Sequence, residues 1–281
     1  MNGAFVPEAE ASVPIMDRGL LFADAVYEGF GVLDGQIVDY VHHWERLVRS
    51  LGELEMTVPH EVDTLWRILM ELIERNGVEE AFLYLHVTRG VATRDYIYPS
   101  GLSPTVFAFT LPGYGVASEP SPVLRLATAP DWRWARRDIK TSNLLAQVLA
   151  KQAAHDAGAD EALLLRGDEV TEAGSSSFFV VLGDTLVTRP LSNDILPGVT
   201  RRAVVDVAAE MGLRVDERSV TLSEALDADE AFITASSSYV QAVGEIDGRP
   251  IGPGAPGPVT NAVRDVYLRY VRASFYTPES S

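Results

Sequence analysis

Apolar residues along the chain change period several times, and each change marks an element. VYEGFGVLDGQIVDY (26–40) alternates around Asp34-Gly35, which predicts two strands joined by a tight hairpin. HHWERLVRSLGELEM follows with Trp44, Leu47, Val48 and Leu51 at helical spacing. Val62, Leu65, Ile68, Leu69 and Leu72 form a second helical stripe over 61–75, and Asn76-Gly77 supplies its stop. AFLYLHVTRG (81–90) and PTVFAFTLP (104–112) read as further strands.

PGYGVASEPSP (112–122) is rich in proline, glycine and serine and is the expected linker. Beyond it come a strand (LRLATAP), a lysine-bearing helical segment, strands EALLLRG and FFVVLGDTLVT, and a helix over about 200–211. A strand near AFITAS, a Gly/Pro loop at 252–258 and a final helix complete the order. The expected fold is α/β in the α+β sense, with two mixed-sheet domains: a small one over 1–115 and a larger one over 123–281 that carries the lysine. Ligand sites favour clefts between such domains.

The 281 residues, 47% hydrophobic and 22% charged, suit a globular protein with a proper core. Without cysteine, disulfides, thiolate metal sites and thiol catalysis are excluded. A net charge of −17 with scattered arginines argues against nucleic acid, and no apolar run reaches the ~20 residues of a membrane span. The N-terminus has no basic, apolar secretory pattern, so a cytoplasmic location is expected. The five histidines lack ligand spacing, and no metal is expected.

Only two of the 23 basic residues are lysines, Lys140 and Lys151, and both fall in RRDIKTSNLLAQVLAKQ. Lysine can lose its proton and condense with a carbonyl group, whereas arginine cannot. The run NLLAQVLAKQAAHDAG predicts a helix capped by Ser142 or Asn143 and ended at Gly158. Lys140 then stands at a strand-to-helix corner, where a cleft and a helix N-terminus favour a reactive amine. Lys151 falls within the helix, as an exposed or snorkelling side chain. LPGVTRR opens a helix whose Val199 and Thr200 amides suit an anion, and Glu172 in TEAGSSS offers a carboxylate for a pyridine nitrogen.

Together DRGLLFADAVYEG, HWERL, VTRG, DIKTSNLLAQVLAKQAAHDAGADEALLL, TEAGSSSFF, LPGVTRR and ITASSS make most of the chain resemble a class IV, fold-type IV pyridoxal-phosphate aminotransferase. That group includes D-amino acid and branched-chain aminotransferases and 4-amino-4-deoxychorismate lyase. The resemblance implies pyridoxal 5′-phosphate in a cleft between the domains, with Lys140 as Schiff-base lysine and proton shuttle. It also implies Glu172 at the ring nitrogen, Arg46, Val199, Thr200 and Ser236 at the phosphate, Leu196 against the ring, and a homodimer with active sites near its interface.

Substrate selection falls to the strand at 26–33 and the loop after VTRG. Alternation puts Tyr27, Gly29 and Gly31 on one strand face, which the resemblance turns toward the cofactor. The Arg-x-His pair that holds the α-carboxylate in D-amino acid aminotransferases is matched by Arg94-Asp95-Tyr96, so the arginine stays and Tyr96 stands where histidine is expected. Arg94, Tyr27 and Tyr96 are the expected carboxylate ligands. YEGFG stands where branched-chain enzymes have an FEGIR-like strand, and two glycines should leave room near the substrate. The reading is transamination between a D-amino acid and a 2-oxo acid such as pyruvate or 2-oxoglutarate. The rivals are an R-selective amine transaminase, a branched-chain L-amino acid aminotransferase, an aminodeoxychorismate lyase and a non-catalytic pyridoxal-phosphate-binding protein.

Overall fold

The computed structural model describes residues 1–112 and 122–278, so the expected linker lies almost wholly outside the described residues. The chain divides into two compact units. The first comprises Met1–Gly115, Ile139–Asn143 and Phe275–Ser281, and the second Val116–Asp138 and Leu144–Ser274.

The first unit contains helix α1 (Arg18–Phe22), strands β1 (Ala25–Leu33) and β2 (Gln36–Ile37), helices α2 (Tyr40–Glu53) and α3 (Val62–Asn76), and strands β3 (Ala81–Thr88) and β4 (Val106–Pro112). Its antiparallel sheet runs β2-β1-β3-β4. Leu33 pairs with Gln36 across Asp34 (φ 52°) and Gly35 (φ 69°), the positive-φ pair that a two-residue hairpin of this twist requires. Val26, Phe30, Val32, Leu83, Leu85 and Val87 from the sheet meet Leu47 and Leu51 of α2 and Leu65 and Leu69 of α3 in one core. Each fully buried side chain of this size contributes about 1.5–3 kcal/mol. The buried face of α2 is turned from the expected stripe: it includes the polar His43, Arg46 and Ser50, while Trp44 and Val48 are only partly covered. Near the C-terminus, Tyr276 packs on Tyr40 and Trp66 and donates its hydroxyl to Asp63.

The second unit follows the order β5 (Leu124–Pro130), α4 (Leu145–Asp156), β6 (Glu161–Arg166), β7 (Glu169–Ala173), β8 (Ser177–Leu182), β9 (Thr185–Thr188) and α5 (Val199–Glu210). Then come β10 (Arg214–Glu217), β11 (Val220–Thr221), α6 (Leu222–Leu226), β12 (Glu230–Ala235), β13 (Tyr239–Ile246), β14 (Arg249–Pro250) and α7 (Pro258–Ala273). One mixed sheet runs β10-β9-β8-β12-β13-β5-β6-β7-β11, with β14 on β13. The β9–β10, β13–β5 and β5–β6 pairs are parallel. The architecture is therefore mixed α+β. Among the described residues no helix is long and apolar enough to cross a membrane.

Two local expectations change. Helix α4 begins after Leu144, with no side-chain cap, rather than at Ser142 or Asn143. The reason is competition: Ser142 N–H donates to the Ala25 carbonyl and Thr141 bridges Val26, so these residues extend the β1 edge instead of opening a helix. Ile139–Asn143 accordingly groups with the first unit, not with the 123–281 region expected to carry the lysine.

Candidate active site

Lys140 is fixed from both sides of its own backbone. Its carbonyl accepts from Tyr27 N–H at 3.0 Å, and its N–H donates to Ser50 Oγ at 3.4 Å. The side chain projects over the Tyr27 ring, with Nζ 4.3 Å from the centroid. Among the described residues Nζ has no hydrogen-bond or ion-pair partner, which suits an amine available for chemistry. Lys151 is engaged: Nζ donates to Glu161 at 2.7 Å and to Ser175 at 3.0 Å. Its role is an ion pair with a buried carboxylate, more than the snorkelling side chain expected.

The opposite face of β1 explains Arg46. Val26, Glu28 and Phe30 alternate toward the core, and Glu28 is fully buried there. Arg46 Nε and Nη2 donate to its two carboxylate oxygens at 2.8 and 2.7 Å, and His43 Nδ1 lies 2.7 Å away. Burial alone would raise the Glu28 carboxyl, but Arg46 and His43 outweigh it and hold the group far below the usual carboxylate range. Burial lowers His43, with Glu28 opposing. The arginine expected at a phosphate is thus oriented by a carboxylate.

In the second unit Glu172 stands on β7, not on the loop expected for it. It is buried and accepts from Arg133 and from Leu196 N–H, the latter at 3.2 Å. Burial pushes its carboxyl up, while the Arg133 guanidinium pulls it down. Arg133 is itself clamped by Asp131, with Nε 2.9 Å and Nη2 2.7 Å from the two carboxylate oxygens. Leu196 is half-buried and its backbone, at least, reaches Glu172.

Val199 and Thr200 open α5, and among the described residues their amides donate to nothing. The preceding residue must be small: a Cβ on Gly198 would lie 2.7 Å from Ser177 Oγ and 3.1 Å from Arg201 Cβ. Ser236 begins the turn from β12 to β13, and β12 pairs with β8 through Thr234 and Ser177. A helix start whose first amides have no protein acceptor suits an anion.

The expected substrate residues fall into two groups. Tyr27, Gly29 and Gly31 lie opposite His86, Tyr84 and Phe82 in the β1–β3 register. The room expected at Gly29 is absent, because a Cβ there would strike the Phe82 ring, which already occupies that space. Arg94 and Tyr96 lie elsewhere in the unit, on an exposed loop beside α1: Arg94 is 5.4 Å from the Phe22 ring and 5.9 Å from that of Tyr96. Asp17 caps α1 through Gly19 N–H, and Arg18 donates to Asp24 and to the Asp95 carbonyl, which ties the loop to the helix.

The sequence profile described as Amino-transferase class IV matches residues 25–246. The chain is a class IV aminotransferase. It is 40% identical over 263 residues to a D-alanine aminotransferase of Bacillus licheniformis, covering 94% of this chain and 93% of that one. A D-alanine aminotransferase of Staphylococcus haemolyticus is 33% identical, covering 97% of both chains. Among solved structures, the branched-chain aminotransferase of the thermophilic archaeon Thermoproteus uzoniensis with norvaline superposes with a TM-score of 0.87 at 27% identity, covering 97% of this chain and 93% of that chain.

For a class IV aminotransferase the donor set is chemically apt. A lysine amine without a partner among the described residues suits an aldehyde, a buried carboxylate with an arginine behind it suits a pyridine nitrogen, and the Val199 and Thr200 amides suit a phosphate. Sequence reasoning missed Glu28, Tyr84, His86, Asp131 and Arg133. Strand alternation would have turned Glu28 inward beside Val26 and Phe30, a buried charge in need of a partner.

His86 brings a pH dependence. Burial lowers its ring from 6.5 to about 4, so the unfolded chain takes up a proton between these values that the folded chain does not. Its contribution is complete above pH 6.5 and is lost as pH falls to 4, by up to about 3 kcal/mol. Urea unfolding at about pH 7.5 and about pH 4.5, on either side of the ordinary histidine range, should show this loss in wild type and less of it in His86→Leu. Equal loss in both would contradict the assignment.

Proposed function

We propose that this class IV aminotransferase transfers an amino group between a D-amino acid and a 2-oxo acid such as pyruvate or 2-oxoglutarate, using pyridoxal 5′-phosphate. The observation that carries the reading is Lys140: an amine without a partner among the described residues, held rigidly to β1 and directed over Tyr27. Similarity to two D-alanine aminotransferases over nearly the whole chain supports the choice of substrate. When bound, pyridoxal phosphate supplies the carbonyl that takes the amino group and a ring that withdraws electrons from the α-carbon.

The chain supplies the rest. Lys140 Nζ would tether the cofactor and, as a neutral amine, would take the α-proton. Glu172, backed by Arg133, would accept a hydrogen bond from the protonated ring nitrogen. Val199, Thr200, Ser236 and Arg46 hold the phosphate, with Leu196 against the ring. Tyr27 binds the α-carboxylate, with Gly29 and Gly31 on the strand that faces substrate; Arg94 and Tyr96, on the exposed loop beside α1, are its further expected ligands, although no contact joins them to Tyr27 among the described residues. The loss of space at Gly29 to Phe82 weakens the case for an R-selective amine transaminase.

The partner of the chain is a second copy. Ile15, Leu20, Tyr96 and Ile97 are 78%, 64%, 79% and 81% exposed on the first unit, and such side chains suit a surface covered in a homodimer.

The experiment is a stopped-flow half-reaction with D-alanine, L-leucine and an R-amine, in wild type and Arg94→Ala. D-alanine should react far faster than L-leucine. Arg94→Ala should lower specificity for D-alanine about 10- to 150-fold, the scale of a hydrogen bond to a charged group, and affect the amine much less. Preference for L-leucine would assign the branched-chain activity instead. Equal losses for amine and amino acid would remove Arg94 from the carboxylate site.

A further inference from the structure

Strand period divides the first unit's sheet into two faces. Val26, Glu28, Phe30, Leu83, Leu85 and Val87 face the helices, whereas Tyr27, Tyr84, His86 and Phe107 share the other side. On that second face a contiguous aromatic ladder leads away from the lysine. Lys140 Nζ lies over Tyr27, and the Tyr27 ring stacks on Tyr84 with centroids 5.3 Å apart and planes at 24°. His86 stacks on Phe107 at 4.7 Å and 10°.

The polar groups of the ladder are unequally provided for. Tyr84 Oη and His86 Nδ1 form a 2.8 Å hydrogen bond, and His86 is only 9% exposed. Among the described residues the Tyr27 hydroxyl has no hydrogen-bond partner, so its ring is oriented by the stack on Tyr84 and by Lys140 Nζ over its face. A buried histidine held neutral at Nδ1 accepts from a phenol, and the bond fixes the Tyr84 ring about its free torsion. Burial raises the Tyr84 phenol beyond its ordinary range, so the hydroxyl keeps its proton and the bond persists across the working pH.

We infer that His86 is a positioning residue for substrate binding: it locks Tyr84, and Tyr84 provides the stacking surface that aims the Tyr27 hydroxyl at the substrate carboxylate beside Lys140. The inference rests on the transaminase reading and adds a residue to it that never touches substrate. It gives a role to a histidine buried in an otherwise aromatic surface, where burial lowers the ring's affinity for protons and keeps it neutral. It also predicts that the two members of the hydrogen bond act as one unit.

The test compares holoenzyme carrying His86→Leu, His86→Gln, Tyr84→Phe and the double variant His86→Leu/Tyr84→Phe. KM and kcat are measured with D-alanine and pyruvate, and the Kd of propionate, an unreactive carboxylate, is measured by calorimetry. His86→Leu and Tyr84→Phe should each raise KM and the propionate Kd about 5- to 20-fold, the scale of one hydrogen bond, with kcat within about two-fold. The double variant should be no worse than the weaker single one, and His86→Gln, which keeps an acceptor, should recover most of the loss. Unchanged KM and Kd in His86→Leu, with only a lowered Tm, would reduce His86 to a core residue and overturn the inference. A fall in kcat at constant KM would overturn it also, by placing His86 in the chemistry. If wild type neither turns over D-alanine nor binds propionate, the transaminase reading fails instead, an outcome distinct from a functional wild type that is insensitive at position 86.

Discussion

Lys140→Ala is expected to abolish covalent attachment of the cofactor and to lower turnover by at least about 10³-fold, since general acid–base transfer alone supplies about 10²–10⁴. The backbone should hold its place without the side chain, because Tyr27 N–H, Ser50 Oγ and the Ser142-to-Ala25 bond fix it through main-chain atoms. Loss of activity should therefore come with an unchanged Tm. Lys151→Ala is the control. It removes the ammonium from the buried Glu161 carboxylate, which keeps the Ser175 hydroxyl at 3.1 Å and the Ala162 N–H at 2.8 Å, so stability should fall by about 1–3 kcal/mol. Turnover should stay within about two-fold, as for a surface change away from the chemistry. Steady-state rates with D-alanine and pyruvate, beside thermal melts, check both variants.

Glu172→Gln is the second large effect. The change keeps volume and a hydrogen-bonding oxygen for Leu196 N–H, but removes the negative charge. Arg133 remains bound to Asp131 through two hydrogen bonds, so the surrounding network should survive. The cofactor should still bind. Without a carboxylate to hold its proton, the ring nitrogen draws electrons from the α-carbon less strongly, and the single-turnover half-reaction with D-alanine should slow about 10²- to 10³-fold, the scale of removing one preorganised electrostatic partner. An unchanged rate would mean that Glu172 serves Arg133 and not the cofactor.

How far the sequence discloses this site depends on whether local or long-range forces set each part. The hairpin at Asp34-Gly35 and helix α3 follow from turn chemistry and apolar spacing, both local, and both stand where expected. Strands β7 and β13 escaped notice because EVTEA and YVQAVGEI break their apolar runs with polar residues and glycine, and burial in the sheet interior overrides that pattern. Ser142 has the right side chain for a helix cap, yet a carbonyl on β1 claims its backbone first. Lys140 was legible because chemistry restricts residue type. Arg133 was not, since its partner Glu172 lies 39 residues away and nothing local distinguishes it from other arginines.

In this reading Lys140 alone binds the cofactor covalently. Borohydride reduction of the purified holoenzyme, followed by tryptic digestion and mass spectrometry, tests it most directly. The expected product carries a phosphopyridoxyl group on Lys140, in a peptide running from Asp138 to Lys151 because the modified lysine resists cleavage. A label on Lys151 or on the N-terminal amine, with Lys140 unmodified, would contradict it.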